Sequence, residues 1–395
     1  MKSWRIDRTE DYVTELGVRQ SATRVAPAGS LVLVVRSGIL QHTIPVAILG
    51  VDSALNQDMK AMIPGPEVDS RFIAYWINGF QQAFLLAWRK EGATVESLDF
   101  DLLRRTRIAL PPLEHQHAIA TFLDRKTAAI DALIARKERL IALLEEKRQA
   151  LITQAVTKGL DPNVPMKDSG VEWLGEVPAG WNIKRLMFLT QPSRPIMYGI
   201  VLPGPDVEDG VPIVKSGDCV PERLSSKYLH KTTREIEASH ARSRLRGGDL
   251  VYAIRGSIGK VAMVPMELEG ANLTQDAARV ATSTSVEPLW LLYALQSFGV
   301  WSQIHAGVVG ATVKGINIRD LKRPFLPVPP TNEQIYIAKH ISKIVSEIDS
   351  ITLKMKESID RLREYRQALI TAAVTGKLEV AGRLAQEAES HDGKE

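Results

Sequence analysis

In the stretch IRGSIGKV, Ile254 to Val261, two cations, Arg255 and Lys260, flank two glycines, Gly256 and Gly259, and a hydroxyl, Ser257. Glycines at these places let a backbone approach an anion closely, and the side chains supply charge and a donor, a combination that holds a phosphate. A plain hairpin turn with solvated charges uses the same residues, and the pattern leaves both readings open. NLTQDAARV adds Gln275 and Asp276, residue types that match adenine and cytosine edges and that also cap turns. In ARSRLRGGD, Arg242, Arg244 and Arg246 alternate, which on a strand puts all three on one face, toward an anion or toward solvent. Lys215, Ser216 and Asp218 in IVKSGD end an apolar run in a similar, weaker pattern. Trp173, Trp181 and Trp290 have rings that could stack on bases, but their Leu, Val and Pro neighbours suit core anchors better. His42 and His305 receive no role.

Catalytic signatures are missing. GSIGKV has neither the spacing nor the following Ser or Thr of a phosphate loop, and the chain contains no H-E-x-x-H run. An Asn-Pro-Pro-Tyr or Asp-Pro-Pro-Tyr run, which an amino-methyltransferase needs, is absent too. Cys219 is the single cysteine among 395 residues, so no intramolecular disulfide and no thiolate zinc cluster can form, and a reducing cytoplasm fits. The most apolar stretch, LVLVVRSGILQHTIPVAILG, is interrupted by Arg36, Gln41 and His42, and the charged N-terminus does not read as a secretory signal. A net charge of +4 permits a nucleic-acid partner without requiring one. The chain reads as non-enzymatic.

The elements that must position these residues are written twice. EKRQALITQAVTKGL, from Glu146, returns as EYRQALITAAVTGKL, from Glu364, and Arg148 and Arg366 lie 218 positions apart. At the same offset GATV at Gly92 returns at Gly310, Pro111-Pro112 at Pro329-Pro330, and Gln57-Asp58 at Gln275-Asp276. RSGILQHTIPVA, with Arg36 and Ser37, resembles RGSIGKVAMVP from Arg255 with the register off by one. Ahead of each repeated phrase lies a helix-period segment. Its seam is Leu123, Ile130, Lys137, Leu144 and Leu151 in the first copy, flanked by Leu133 and Leu140. In the second it is Ile341, Ile348, Met355, Leu362 and Leu369, with Ile344, Ile351 and Tyr365 filling the intermediate row. Proline and glycine are absent from 114–158 and 331–375, which allows rods of about 65 Å at ~1.5 Å per residue. Thr331 or Asn332 is expected to cap the second rod, and Gly159 and Gly376 to end the pair. Antiparallel pairing, with a globular unit at each end about an approximate twofold axis, is expected. The globular units read as α+β, with strands at Leu250–Ile254 and Val261–Val264 and helices in PLWLLYALQSFGVWSQI and SRFIAYWINGFQQAFLL.

Together, the paired rod ends, the rod starts LPPLEHQHAIATFLD and VPPTNEQIYIAKHI, the segment DSGVEWLGEVPAGWNIKRL and the core GDLVYAIRGSIGKVA resemble the specificity subunit of type I restriction-modification systems. The resemblance covers residues from about 30 to 378 and implies an α+β fold with two pseudo-twofold related target recognition domains separated by two long antiparallel coiled-coil helices. It divides the chain into a first recognition domain (1–110), a spacer helix (111–158), a linker (159–175), a second recognition domain (176–328), a second spacer helix (329–378) and a disordered tail (379–395). Implied partners are duplex DNA, two methyltransferase (modification) subunits and restriction/motor subunits, with no membrane. Implied too is that this chain binds no cofactor, while S-adenosylmethionine, ATP and magnesium serve the partner subunits. The rods would act as a ruler between half-sites of a bipartite, asymmetric target whose adenines are methylated or whose duplex is cleaved by the partners. DNA-contact candidates are Arg255, Gly256, Ser257, Lys260, Gln275, Lys215, Ser216, Arg242, Arg244, Arg36, Ser37 and Gln57. In one respect the chain departs from the pattern: the counterpart of the segment at Val171 would lie before Met1, so the first domain is expected to lack its first forty to fifty residues. Exposed strand edges there would weaken its folding and its half-site recognition, giving a shortened, inactive subunit as the alternative. A coiled-coil scaffold that binds proteins, and a fused methyltransferase or nuclease, are the remaining alternatives.

Overall fold

A computed structural model describes residues 4–21, 23–90, 94–306 and 315–380. The repeated GATV phrases, at Gly92 to Val95 and Gly310 to Val313, lie wholly or partly outside the described residues, and so does most of the tail from 379. The chain forms two compact units, Met1–Arg139 with Lys354–Glu395, and Leu140–Leu353.

The first unit is built on a four-stranded sheet in the order Arg5–Ile6, Val46–Leu49, Leu31–Val34, Met59–Met62. The outer strand Arg5–Ile6 runs parallel to its neighbour, and the other pairings are antiparallel. The LVLV run of Leu31–Val34 is almost wholly buried, as expected for a strand covered on both faces. Helix Ser70–Gly79 lies on this sheet and turns Phe72, Tyr75, Trp76 and Ile77 inward.

The second unit repeats this plan and adds to it. Its main sheet runs Met197–Tyr198, Ala277–Val280, Leu250–Ala253, Val261–Met263, all antiparallel. The pair Leu250–Ala253 with Ala277–Val280 corresponds in the repeat to Leu31–Val34 with Met59–Met62. The additions are a three-stranded sheet centred on Val211–Val214, a hairpin of Met166–Asp168 with Glu176–Pro178, and the pairing of Asn182–Arg185 with Phe325–Val328. Helix Pro288–Gln296 carries Trp290 and Leu291 into the core, both fully buried. The expected single helices are each two: Ser70–Gly79 with Gln81–Ala87, and Pro288–Gln296 with Phe298–His305.

The breaks explain the repeated phrase. Gln367 Nε2 donates to the Asn78 carbonyl at 2.9 Å, and Thr371 Oγ1 to the Gly79 carbonyl at 3.0 Å. Their counterparts do the same work in the second unit: Gln149 Nε2 donates to the Gln296 carbonyl at 2.6 Å, and the Phe298 N–H donates to Thr153 Oγ1 at 3.1 Å. Backbone groups released where one short helix stops and the next starts are thus satisfied by the Gln and Thr of RQALIT.

The two long helices are Leu113–Lys158 and Thr331–Val374. Within the first unit Arg366 Nε bonds Asp131 Oδ1 at 2.9 Å and Arg363 Nη2 bonds Glu138 Oε1 at 3.0 Å, so the segments run antiparallel there. Within the second, Arg148 lies 4.0 Å from Asp349, the same pair in the other copy. Of the seam residues, Leu123, Ile130, Ile341, Ile348 and Leu369 are buried, while Leu144, Leu151 and Leu362 are half-buried. The companion row differs from the expectation. Leu133, Leu140, Ile351 and Tyr365 are exposed and Ile344 is half-buried, while in the row one residue later Ile134, Ile359 and Ala373 are buried and Ile141 is half-buried. Packing against the short helices as well as against each other widens the apolar stripe beyond a two-stranded seam.

Gly159 and Gly376 end the helices with φ of 75° and 71°, as their sequence position predicts. The cap expected at Thr331 or Asn332 is absent: the helix opens at Thr331, whose Oγ1 donates to the Ser285 carbonyl at 3.1 Å. A buried glutamine organises each start instead. Gln334 Nε2 donates to the Pro329 carbonyl at 2.8 Å, and its Oε1 accepts from the Glu287 N–H at 2.8 Å. Gln116 matches it, donating to Pro111 at 2.8 Å and accepting from the Asp69 N–H at 3.0 Å.

Candidate nucleic-acid interface

Strands Leu250–Ala253 and Val261–Met263 are joined by the turn that holds Arg255, Gly256, Ser257 and Lys260. Both glycines are in the left-handed region, with φ of 65° at Gly256 and 89° at Gly259, so they shape the turn as well as clearing its surface. The Ile254 and Arg255 N–H groups donate to the Asp276 carbonyl at 2.9 and 3.2 Å, and this fixes the turn beside the Gln275 loop. There the exposed Arg255 donates from Nη1 to Gln275 Oε1 at 3.1 Å. A Cβ on Gly256 would stand 3.4 Å from Ser216 Oγ, which brings the Lys215-Ser216 turn to the same spot. The carboxylate of Asp218 accepts from the Lys215 N–H at 3.1 Å and from Arg223 Nε at 3.1 Å, so it shapes that turn while the Lys215 side chain stays exposed.

The structure therefore gathers Arg255, Gly256, Gln275 and Ser216 at one surface, with Ser257 and the exposed Lys260 on the same turn. It adds two residues for which the sequence offered no role. A Cβ on Gly259 would meet Trp301 Cδ1 at 3.4 Å, and the Trp301 ring stacks on His305 with centroids 3.8 Å apart. Trp301 is 43% exposed, so an aromatic face stands beside the cationic turn. Of the tryptophans singled out in the sequence, Trp181 and Trp290 are core residues and Trp173 is exposed.

The run 242–246 behaves differently. Residues Ala241–Ser243 form a 3-10 turn and not a strand, yet Arg242, Arg244 and Arg246 still alternate outward because Ser243 and Leu245 are buried between them. Arg244 is exposed but already paired within the protein: Nε and Nη2 fork onto Glu237 at 2.8 and 2.6 Å, and this bond holds the Glu237 carboxyl below its usual range. The Arg242 and Arg244 carbonyls accept from Arg279 Nη1 at 2.7 and 3.0 Å. Arg279 is wholly buried, and desolvation pulls its guanidinium down to about 10, which leaves it charged at neutral pH. These arginines brace the loop. Cys219 beneath the Lys215 turn is buried, and burial pushes its thiol up to about 12, so it carries no thiolate chemistry.

The first unit has a reduced version of the surface. Arg36 is exposed, and the Val35 N–H donates to the Asp58 carbonyl at 2.8 Å, the counterpart of the Ile254 to Asp276 bond. Arg36 bridges Ser97 as Arg255 bridges Gly315, and Gln57 is exposed on the loop next to Asp58. Ser37 is spent locally, its Oγ accepting from the Ile39 N–H at 3.4 Å at the start of a 3-10 turn. Among the described residues no group of three His, Cys, Asp or Glu side chains could hold a metal, and no helix is long and apolar enough to cross a membrane.

The chain is 27% identical over 330 residues to the EcoBI specificity subunit of Escherichia coli, covering 82% of this chain and 69% of that one. Over 142 residues, 36% of this chain and 35% of the relative, it is 34% identical to the EcoR124I/EcoR124II specificity subunit of the same species. A chain from a solved structure on complex assembly and conformational transition of the type I R-M system superposes with a TM-score of 0.62 at 20% identity, covering 92% of this chain and 86% of that one, a likeness of fold. The model of the type I restriction modification DNA specificity domain matches residues 3–143 and 207–361, well over half of the sequence and part of both repeats, and the chain belongs to that family.

Proposed function

We propose that the chain reads a bipartite, asymmetric duplex DNA target for a type I restriction-modification complex, with one half-site taken by each unit. Supporting this reading is the Arg255 guanidinium held at 3.1 Å on the Gln275 amide oxygen, on an exposed glycine turn whose counterpart in the first unit carries Arg36 and Gln57. Such an arginine can release its internal partner for a phosphate or a guanine edge, while the amide keeps its orientation until it does. Lys215, Lys260, Arg242 and Ser216 would add backbone contacts, and the boundaries 1–110, 111–158, 159–175, 176–328 and 329–378 divide readers from spacers.

The chemistry belongs to partners in this proposal. Two methyltransferase subunits would use S-adenosylmethionine on adenine, and restriction/motor subunits would use ATP and magnesium, with the specificity chain itself catalysing nothing and working in the cytoplasm. A genome-wide map of methylated adenines, with the gene present and deleted, tests it. Loss of methylation at one split motif is the expected result, and an unchanged map refutes an active specificity subunit. With partner present and at low salt, Arg255→Ala should weaken duplex binding by about 1–3 kcal/mol. Unchanged affinity in a folded variant removes Arg255 from the interface.

A further inference from the structure

Helix Phe298–His305 turns Val300, Ser302 and Ile304 into the second unit and leaves a strip of rings on its outer side. Phe298, Trp301 and His305 lie three and four residues apart, a spacing that brings helix side chains onto one face. Phe298 is 60% exposed, and its ring is nearly parallel to that of Trp301, at 18° with centroids 6.3 Å apart. Trp301 in turn stacks on His305, whose Nδ1 donates to the Trp301 carbonyl at 3.0 Å, and this bond holds the imidazole against the indole. The strip borders the cationic turn through Gly259. A Cβ there would meet the indole Cδ1 at 3.4 Å and Nε1 at 3.5 Å, so glycine keeps that edge of the ring clear of any side chain from the turn. The indole N–H has no hydrogen-bond partner among the described residues.

The fold itself does not need these rings. At the repeat offset of 218, Ala83 and Ala87 stand in the places of Trp301 and His305, both exposed on helix Gln81–Ala87. Leu40, which is buried, occupies the place of Gly259 in the matching run RSGILQ. The first unit thus keeps the arginine and the glutamine of its turn, Arg36 and Gln57, and lacks the ring stack. Apolar ring surface is costly to leave in water, and in the second unit it is concentrated beside the residues offered to a duplex.

We propose that Trp301 reads a thymine in the half-site taken by the second unit, with its ring against the 5-methyl group and its N–H on O4. Thymine presents that acceptor and that methyl group side by side in the major groove, whereas cytosine offers a donor in the same place. The indole carries the complementary pair, a single donor set in apolar surface. Insertion between base pairs suits this ring less well, because it lies against His305 and beside Phe298 and does not stand free as a wedge must. His305 acts through the indole as a positioning residue that fixes the plane of the ring. The inference rests on duplex recognition by this unit and adds to it a base that the second unit distinguishes and the first, with Ala83, does not read in this way.

The test selects duplexes from a randomised pool with the full chain and its methyltransferase partner, for the parent and for Trp301→Ala. Both are expected to recover the same split motif, with the preference for one thymine lost in the variant. Each thymine of the parent's motif is then replaced in turn by deoxyuridine, which removes the methyl group alone. At that one thymine parent affinity should fall about fourfold, the size expected for returning one methyl group to water, while Trp301→Ala shows no change. His305→Ala should shrink the deoxyuridine effect and His305→Phe, which keeps a stacked ring, should recover it, with thermal unfolding as in the parent for all three variants. A Trp301→Ala motif identical to the parent's, a deoxyuridine penalty equal in the two proteins, or no penalty at any thymine in the parent overturns the proposal and leaves duplex recognition standing. A parent that selects no duplex overturns that recognition and the proposal together.

Discussion

Arg244 and Arg255 are both exposed arginines on loops of the second unit, and their partners separate their roles. Arg255 rests on a neutral amide, from which it can be withdrawn at small cost, whereas Arg244 is forked onto a nearly buried carboxylate. Because Glu237 has its carboxyl lowered by that fork, the bond stabilises the fold fully above the ordinary value of 4.5 and is lost as pH falls through the lower folded value. Glu237→Gln should therefore cost about 1–2 kcal/mol at neutral pH, discounted for the exposure of Arg244, with the gap to the parent narrowing below pH ~4.5. Urea melts at pH 7 and pH 4 check this, and an equal gap at both would mean the charge contributes nothing. Neither the fork nor the burial of Arg279 is visible in ARSRLRGGD, because both depend on residues far along the chain.

At the scale of elements, each long helix is tied to a pair of short helices by RQALIT and to their start by a buried glutamine. Gln334→Leu leaves the Glu287 N–H and the Pro329 carbonyl without their partner, at an expected cost of about 1–3 kcal/mol. Thermal unfolding monitored by circular dichroism would show it, and an unchanged midpoint would mean water replaces the amide. The seam is tested by two charges: Ile359→Asp places a carboxylate where the side chain is 4% exposed and should cost several kcal/mol, on the order of 3 or more, whereas Tyr365→Asp, at 58% exposure, should be nearly silent. Equal effects would restore the row expected from the heptad. The period alone showed two helices and a first row that is buried or half-buried, but a difference of one residue in the second row depends on what packs alongside, which the pattern of one helix does not contain.

For the whole molecule, the relevant quantity is salt dependence. Duplex affinity should fall linearly in log-log form with salt, and Arg255→Ala should reduce the slope by ~1 if its partner is a phosphate. An unchanged slope with weaker binding would move Arg255 to a base edge. A modest net charge of +4 fits contacts concentrated on a few turns better than a uniformly basic surface.

Repetition was the information the sequence held by itself. The constant offset of 218 marked the paired phrases and the two long helices, the glycine turn matched its counterpart one residue out of register, and the quoted motifs carried the resemblance to the family. That succeeds because local geometry, a left-handed glycine or an uninterrupted helical period, is set by neighbours a few residues away. Only the tertiary structure decided which cations are committed internally, and that Trp301 and His305 stand beside the Arg255 turn. Burial and pairing are properties of residues brought together across the chain, and no short window of sequence contains both partners.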